Sequence, residues 1–301
     1  MTTCDITRTI SRQSRSAEEK RLRLEPSNFY RYSDSSTFAV ASLVSEASGK
    51  RVLITLPIHN EASRLESNVR TLRGYLEREG IPSVILLAED GSTDNSAQIC
   101  HQLALRYRDI LFVHSKERLG RGEALRRAWL SLQSYGFDYK YYVFMDADLA
   151  TDLSCLKTLL GKLDDGNDVV IGSRYAPNAA FARPRLRLAI SLPYNKIVRR
   201  LFKIAIMDVQ CGFKGFGPRA LELLVPVTRE DSCFWDAEIC VICSWMRLNT
   251  VEIPVVWRET RFKRTSMGRL IGDMLDHGMG LIRLLARYGE LRGYQSRSSR
   301  S

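Results

Sequence analysis

The chain has 301 residues, 45% apolar and 26% charged, with 45 Lys and Arg against 34 Asp and Glu. Enough apolar side chains are present to bury a large core, which excludes both a disordered chain and a small scaffold dependent on disulfide or metal staples. The net charge of +11 favours an anionic partner, whether phosphate, nucleic acid or anionic membrane, without choosing among them.

Residues 1–48, rich in Ser, Thr and Arg, have no sustained period and read as a polar, flexible arm. From Val52 onward short apolar runs alternate with leucines at helical spacing. A strand over 52–56, stopped by Pro57, precedes a helix over 62–79. The unit recurs as 84–88 then 94–107, 110–114 then 122–133, 141–145 then 153–163, and a strand over 169–172. Such alternation predicts one α/β domain over 50–290, a mostly parallel Rossmann-like sheet with helices on both faces. Residues 291–301 read as a disordered basic tail.

Seven cysteines, an odd number with no secretory signal ahead of them, indicate reduced thiols in a cytosolic setting. Cys240 and Cys243 form a C-x-x-C, but no second pair follows, and Ile239, Val241, Ile242 and Trp245 read as a packed helix. No window of 18 or more apolar residues occurs, so membrane contact is expected to be peripheral.

In doubly wound sheets ligands sit beyond the carboxyl ends of the strands. There stand Pro57, His59, Asn60 and Glu61, then Glu89, Asp90 and Asp94, then Asp146, Ala147 and Asp148, then Ser173 and Arg174. Carboxylates gathered on one edge repel unless a cation or hydrogen-bond donors offset them. The D-A-D after YYVFM puts Asp146 and Asp148 on the same side of an extended chain, which suits Mg²⁺ or Mn²⁺ binding substrate phosphates. Plain capping stays open: Thr151 or Asp152 can start the next helix, as Ser92 or Asp94 can start the earlier one. Glu89 and Asp90 at a strand exit can also accept hydrogen bonds from a ribose or a base edge. The loop LGRGEA at 119–124 lacks both G-x-G-x-x-G and a Walker lysine, which argues against a dinucleotide dehydrogenase and a P-loop ATPase.

Six motifs in order, LPIHNE, EDGSTD, MDADLATD, GSRY, DVQCGFKGF and FWDAEI, lie between residues 56 and 239. Together they resemble the inverting family-two nucleotide-sugar glycosyltransferases of the GT-A fold. The branch most similar is the polyprenyl-phosphate one, with the dolichyl-phosphate glucose and mannose synthases. The resemblance implies that Pro57, Glu61 and Asp90 contact the nucleoside and that Asp146 and Asp148 hold the metal on the diphosphate. It implies that Asp208, Gln210 and Lys214 border the sugar pocket. Arg174, Arg187, Ser191 and Arg261 would face the acceptor phosphate, and Asp236 is the candidate base if one is used, or else a helix-start carboxylate. The chain departs from the branch after Trp257, where Arg261, Arg264, Ser266 and Met267 stand in place of R-x-x-G-x-S-K.

Between Arg174 and Met207 no acidic residue occurs, and basic residues including Arg183, Arg185, Arg199, Arg200 and Lys203 alternate with Leu and Ile. This fits a segment facing an anionic membrane surface, divided by Pro184 and Pro193 into two short interfacial helices, although a packed amphipathic helix with a solvated basic face would look the same. A second apolar stripe, Leu270 to Leu285, suits core packing as well as a membrane. No recognition motif or aromatic platform accompanies the basic stretch, so no nucleic-acid partner is expected. The sequence carries no signal for an oligomeric state.

The expected activity is metal-dependent hexose transfer from a nucleotide-diphosphate sugar of UDP-glucose or GDP-mannose type to polyprenyl or dolichyl phosphate, peripheral on the cytoplasmic face of a membrane, with Asp148, Arg174 and Asp236 as catalytic candidates. Two alternatives stand beside it: transfer to a carbohydrate hydroxyl, which would require Asp236 as base, and a noncatalytic membrane-bound partner in glycan assembly.

Overall fold

A computed structural model describes residues 51–134, 138–182, 185–258, 272 and 274–287. The arm at 1–48 and the tail at 291–301 lie outside these residues. Strands β1 (Val52–Ile58), β2 (Ser83–Asp90), β3 (Ile110–Ser115) and β4 (Tyr141–Met145) pair in parallel. Their near-continuous apolar runs suit a sheet covered on both faces. Helices α1 (Leu65–Arg78), α2 (Ser96–Arg106) and α3 (Arg121–Ser134) connect them, and α4 (Cys155–Asp164) leads to β5 (Val169–Ser173). β1 runs through Pro57 because its pairing with β4 ends at Thr55 and only β2 remains alongside.

Beyond β5 come β6 (Ala180–Ala182), α5 (Arg185–Phe202), β7 (Phe213–Phe216), α6 (Pro218–Leu224), α7 (Trp235–Trp245), β8 (Thr250–Pro254) and β9 (Val256–Arg258). The main sheet has the order β3-β2-β1-β4-β7-β5-β8, with β7 antiparallel to both neighbours, and β6 pairs with β9. Leu65, Val69, Leu72 and Leu76 of α1 pack with α2 and α4 on one face of the sheet. Trp129 of α3, Val198 and Phe202 of α5, and the apolar residues of α6 and α7 pack on the other. Cys240 and Cys243 are buried in α7, and burial pushes the Cys240 thiol up to about 12.

The break expected at Pro193 does not occur: α5 is one helix with Pro193 inside it. The turn around the proline is held by Asn195, whose Nδ2 donates to the Ser191 carbonyl (2.8 Å) and whose Oδ1 accepts from the Val209 N–H (2.9 Å). Val198 and Phe202 then bury one side of the helix, and this packing outweighs one lost backbone bond. The opposite side exposes Leu192, Ile197 and Leu201 beside Lys196, Arg199, Arg200 and Lys203. In the helical stretch 274–287 the apolar stripe also points outward at Met274, Leu275, Met279, Ile282 and Leu285, while Leu284 packs into the core. No described helix is long and apolar enough to cross a membrane.

Candidate active site

The carboxyl ends of β1, β2 and β3 form one half of the site, and their loops are tied together by short polar side chains. Asn60, in the left-handed region at φ 56°, accepts from the Thr93 N–H through Oδ1 (2.8 Å) and donates its own N–H to Ser92 Oγ (3.0 Å). The buried Glu61 donates its N–H to Ser96 Oγ (2.8 Å), and Asp94 accepts from the Ser96 and Ala62 amides. The N-cap position of α2 falls on Asn95 and not on Asp94, which stands one residue earlier, takes the Ser96 amide from there and ties two loops together. Glu89 Oε1 accepts from the Ser92 N–H (2.5 Å) while its other oxygen meets His114 Nδ1. Asp90 reaches across to the loop before α3, where its two oxygens accept from the Leu119 (2.6 Å) and Gly120 (2.9 Å) amides. Pro57 lies half-buried at the end of β1, beside this group.

Asp146 leaves β4 next to the start of β7, its N–H donating to the Gly212 carbonyl (3.1 Å). A Cβ on Gly212 would stand 2.3 Å from Asp146 Oδ2, so the carboxylate takes this position only because residue 212 has no side chain. The chain does not stay extended through the D-A-D as expected: the Leu149 N–H donates to the Asp146 carbonyl (3.1 Å), and Asp148 lies in that turn, its Oδ1 accepting from the Ala150 N–H (3.1 Å). Arg121, at the start of α3, ion-pairs with Asp146 through Nη2 and donates through Nη1 to Asp236 Oδ2 (2.9 Å). The other Asp236 oxygen accepts from Lys214 Nζ (2.6 Å), which also donates to the Cys211 carbonyl (2.6 Å). Lys214 and Asp236 are both buried. Burial is the largest single influence and would lower the Lys214 ammonium, but the Asp236 charge and hydrogen bond, with smaller contributions from neighbouring groups, together outweigh it and hold the lysine above its ordinary value.

Arg174 follows β5 and is buried against Asp208 in a two-pronged pair, Nε to Oδ2 2.7 Å and Nη2 to Oδ1 2.8 Å, with the Arg174 N–H donating to Oδ2 as well (3.0 Å). Burial works to raise the Asp208 carboxyl, but the Arg174 hydrogen bonds and charge prevail and hold it below its usual range. Glu252 of β8 accepts the Met207 and Asp208 amides, and the Gln210 N–H donates to Asp208 Oδ1 (3.3 Å). Asp208 thus gathers the loop before β7. The Arg174 guanidinium also lies 5.7 Å from the Trp257 ring centre, and the adjacent Tyr175 hydroxyl bonds Ser191 Oγ (2.8 Å). The Arg187 side chain and all of Arg261 lie outside the described residues.

The sequence reading missed Arg121. Its signal is the pair of flanking glycines: a Cβ on Gly120 would come within 2.3 Å of the Asp231 carbonyl oxygen, and one on Gly122 within 2.2 Å of that of Glu230. Both glycines permit the close backbone approach that fixes Arg121 at the edge.

Comparison with known proteins agrees with this architecture. Glycosyltransferase AglD of Haloferax volcanii is 34% identical over 242 residues, covering 79% of this chain and 37% of that protein. The dolichyl-phosphate beta-glucosyltransferase of Saccharomyces cerevisiae is 27% identical over 226 residues, covering 68% of this chain and 66% of that protein. This chain therefore spans about a third of the first relative and just under two thirds of the second. Among solved structures, glucosyl-3-phosphoglycerate synthase from Mycobacterium tuberculosis with Mn²⁺ and uridine-diphosphate-glucose shares the fold, at TM-score 0.56 and 19% identity, covering 83% of each chain. Residues 53–224, the stretch from β1 through α6 that carries the D-A-D edge, match Glycosyl transferase family 2, and the chain belongs to that family.

Proposed function

We propose that this protein is an inverting hexosyltransferase that moves a sugar from a nucleotide-diphosphate donor to the phosphate of a polyprenol of dolichyl type. The observation that carries the choice of acceptor is the state of Asp236. A hydroxyl acceptor requires a carboxylate free to take its proton, yet both Asp236 oxygens accept from cations and the side chain is buried. A phosphate monoester is already an anion near pH 7, with a second pKa near about 6, and requires no such base. The similarity to a dolichyl-phosphate beta-glucosyltransferase supports the same acceptor and a glucose donor.

In this reading Pro57, Glu61 and Asp90 border the nucleoside, while Asp208 and Lys214 act from beneath the sugar and acceptor side by fixing Arg174 and Asp236. Asp146 and Asp148 suit Mg²⁺ or Mn²⁺. They are hard oxygen donors at a strand end, and two carboxylates would leave the ion's remaining positions to water and substrate oxygens. Held by Asp146 and Asp148, such an ion would offset the charge that develops on the leaving diphosphate. Attack by the acceptor oxygen on C1 from the opposite face inverts the anomer. The exposed Leu192, Ile197 and Leu201 among four basic residues of 196–203 support peripheral attachment to an anionic membrane, where the lipid phosphate is presented.

The test is to incubate the purified protein with Mn²⁺ or Mg²⁺, dolichyl phosphate and a panel of UDP- and GDP-sugars. A glycosylated lipid formed with one donor is the expected result. Transfer only to a carbohydrate hydroxyl would overturn the acceptor assignment.

A further inference from the structure

Four charges of alternating sign run from the core to the rim: Lys214, Asp236, Arg121 and Asp146. The buried end is closed, since Lys214 and Asp236 neutralise one another. The outer end is open to solvent, with the Asp146 side chain 31% exposed and that of Arg121 20% exposed. Arg121 is thus the cation of the row nearest the rim, and its backbone is fixed from two directions. Asp90 takes the amides of Leu119 and Gly120 on one side, and the Asp231 carbonyl accepts the Gly122 N–H (2.7 Å) on the other.

We propose that Arg121 is the resident counter-cation of Asp146 in the donor-free protein, and that it passes from Asp146 to the donor diphosphate when a divalent ion takes that carboxylate. The argument is one of charge. A divalent ion on Asp146 and Asp148 removes the attraction that holds Arg121 there and adds repulsion. Asp236 keeps the guanidinium at the rim through Nη1, leaving Nη2 to find an anion, and the diphosphate is the anion that arrives with the metal. Arg121 therefore opposes metal binding to the empty site and favours nucleotide binding to the loaded one. Because its loop is also held by Asp90, the nucleoside and diphosphate ends of the site are joined through three residues, 119–121.

This inference rests on the donor assignment above, and the experiment separates the two. Mn²⁺ binding is titrated by electron paramagnetic resonance without nucleotide, and UDP and GDP binding is then titrated by calorimetry at saturating Mn²⁺. The proteins are the parent, Arg121→Met and Arg121→Lys, with thermal melts as a control on folding. In Arg121→Met we expect Mn²⁺ alone to bind about tenfold more tightly and the nucleotide about tenfold more weakly, the worth of one charge-assisted hydrogen bond. Arg121→Lys, which keeps the charge, should stay near the parent in the first titration. Changes of the same sign in both titrations, or a lowered melting temperature with neither affinity moved, would make Arg121 a structural ion pair and overturn the proposal. Should Arg121→Met not fold, the proposal stands or falls on Arg121→Lys, where a free-site Mn²⁺ affinity raised as far as tenfold would refute it. A parent that binds Mn²⁺ but neither nucleotide would overturn the donor assignment as well.

Discussion

Arg174→Met separates a structural from an acceptor-binding role at a residue for which the family resemblance implies contact with the acceptor phosphate. Arg174 and Asp208 have side chains only 6% and 0% exposed, and Asp208 accepts the Arg174 Nε, Nη2 and backbone N–H together. Removing the guanidinium leaves a carboxylate buried without its cation, which costs about 3–5 kcal/mol. For a domain of this size that corresponds to roughly 10 °C in melting temperature. Adding Asp208→Asn removes the stranded charge while its one amide oxygen can still accept the Arg174 backbone N–H. The double variant should therefore recover to within about 1–2 kcal/mol of the parent in urea denaturation. The pH dependence has a definite sign. Arg174 holds the Asp208 carboxyl below its ordinary value, so the pair's contribution is complete above the unfolded-chain value of about 3.9 and is lost as pH falls through the lower folded value. The gap between parent and Arg174→Met should accordingly close in acid. A cost under about 1 kcal/mol, or a double variant no more stable than the worse single one, would refute the reasoning. With folding restored, transfer assays on the double variant then report whether Arg174 also serves the acceptor.

Asp148→Asn should melt with the parent but lose most transfer, since a neutral amide is a poorer ligand for a hard cation; unchanged rates and metal dependence would remove Asp148 from the metal site. Gly212→Ala should displace the Asp146 carboxylate, whose Oδ2 lies 2.3 Å from the added Cβ, and weaken Mn²⁺ binding at least tenfold, an effect that an unchanged Mn²⁺ titration would disprove. Liposome sedimentation tests the membrane face: parent binding to anionic vesicles should fall as salt shortens the Debye length toward about 3 Å at 1 M. Changing the exposed Arg199, Arg200 and Lys203 to Ser should lower binding at low salt without lowering the melting temperature, and undiminished binding would exclude this face.

Much of the first half of the fold was legible because each strand is a contiguous apolar run and each helix repeats its own period. β7 was not, since FKGF is four residues long and carries a lysine inward. Alternation puts Lys214 beside Phe216 on the α7 face, and only Asp236, 22 residues further on, makes that burial tolerable. Arg121 escaped for a similar reason: its flanking glycines mark a close backbone approach, but its partner Asp236 lies 115 residues away. The carboxylates were easier, as Asp90 ends β2 and Asp146 directly follows β4. Periodicity identified the stripe within 274–287 but not the side that is covered: Leu284 packs inward, and Gly280 sits so close to Phe234 that a Cβ would come within 2.3 Å of the ring. Pro193 misled because a helix tolerates one missing bond where Asn195 and the core hold the next turn.

The reversed direction of β7 has a topological consequence. A wholly parallel sheet sends only departing chain to its ligand-binding rim, because every arriving segment enters at the far end. Here the chain that leaves β4 and the chain that enters β7 meet as neighbours, joined where the Asp146 N–H reaches the Gly212 carbonyl. The whole excursion from the end of β5 to Gly212, with β6 and α5 inside it, thus begins and ends on the same rim as the D-A-D. A change in its length is therefore felt first at that rim, beside Asp146, and not at the far end of the sheet where β1 to β4 begin.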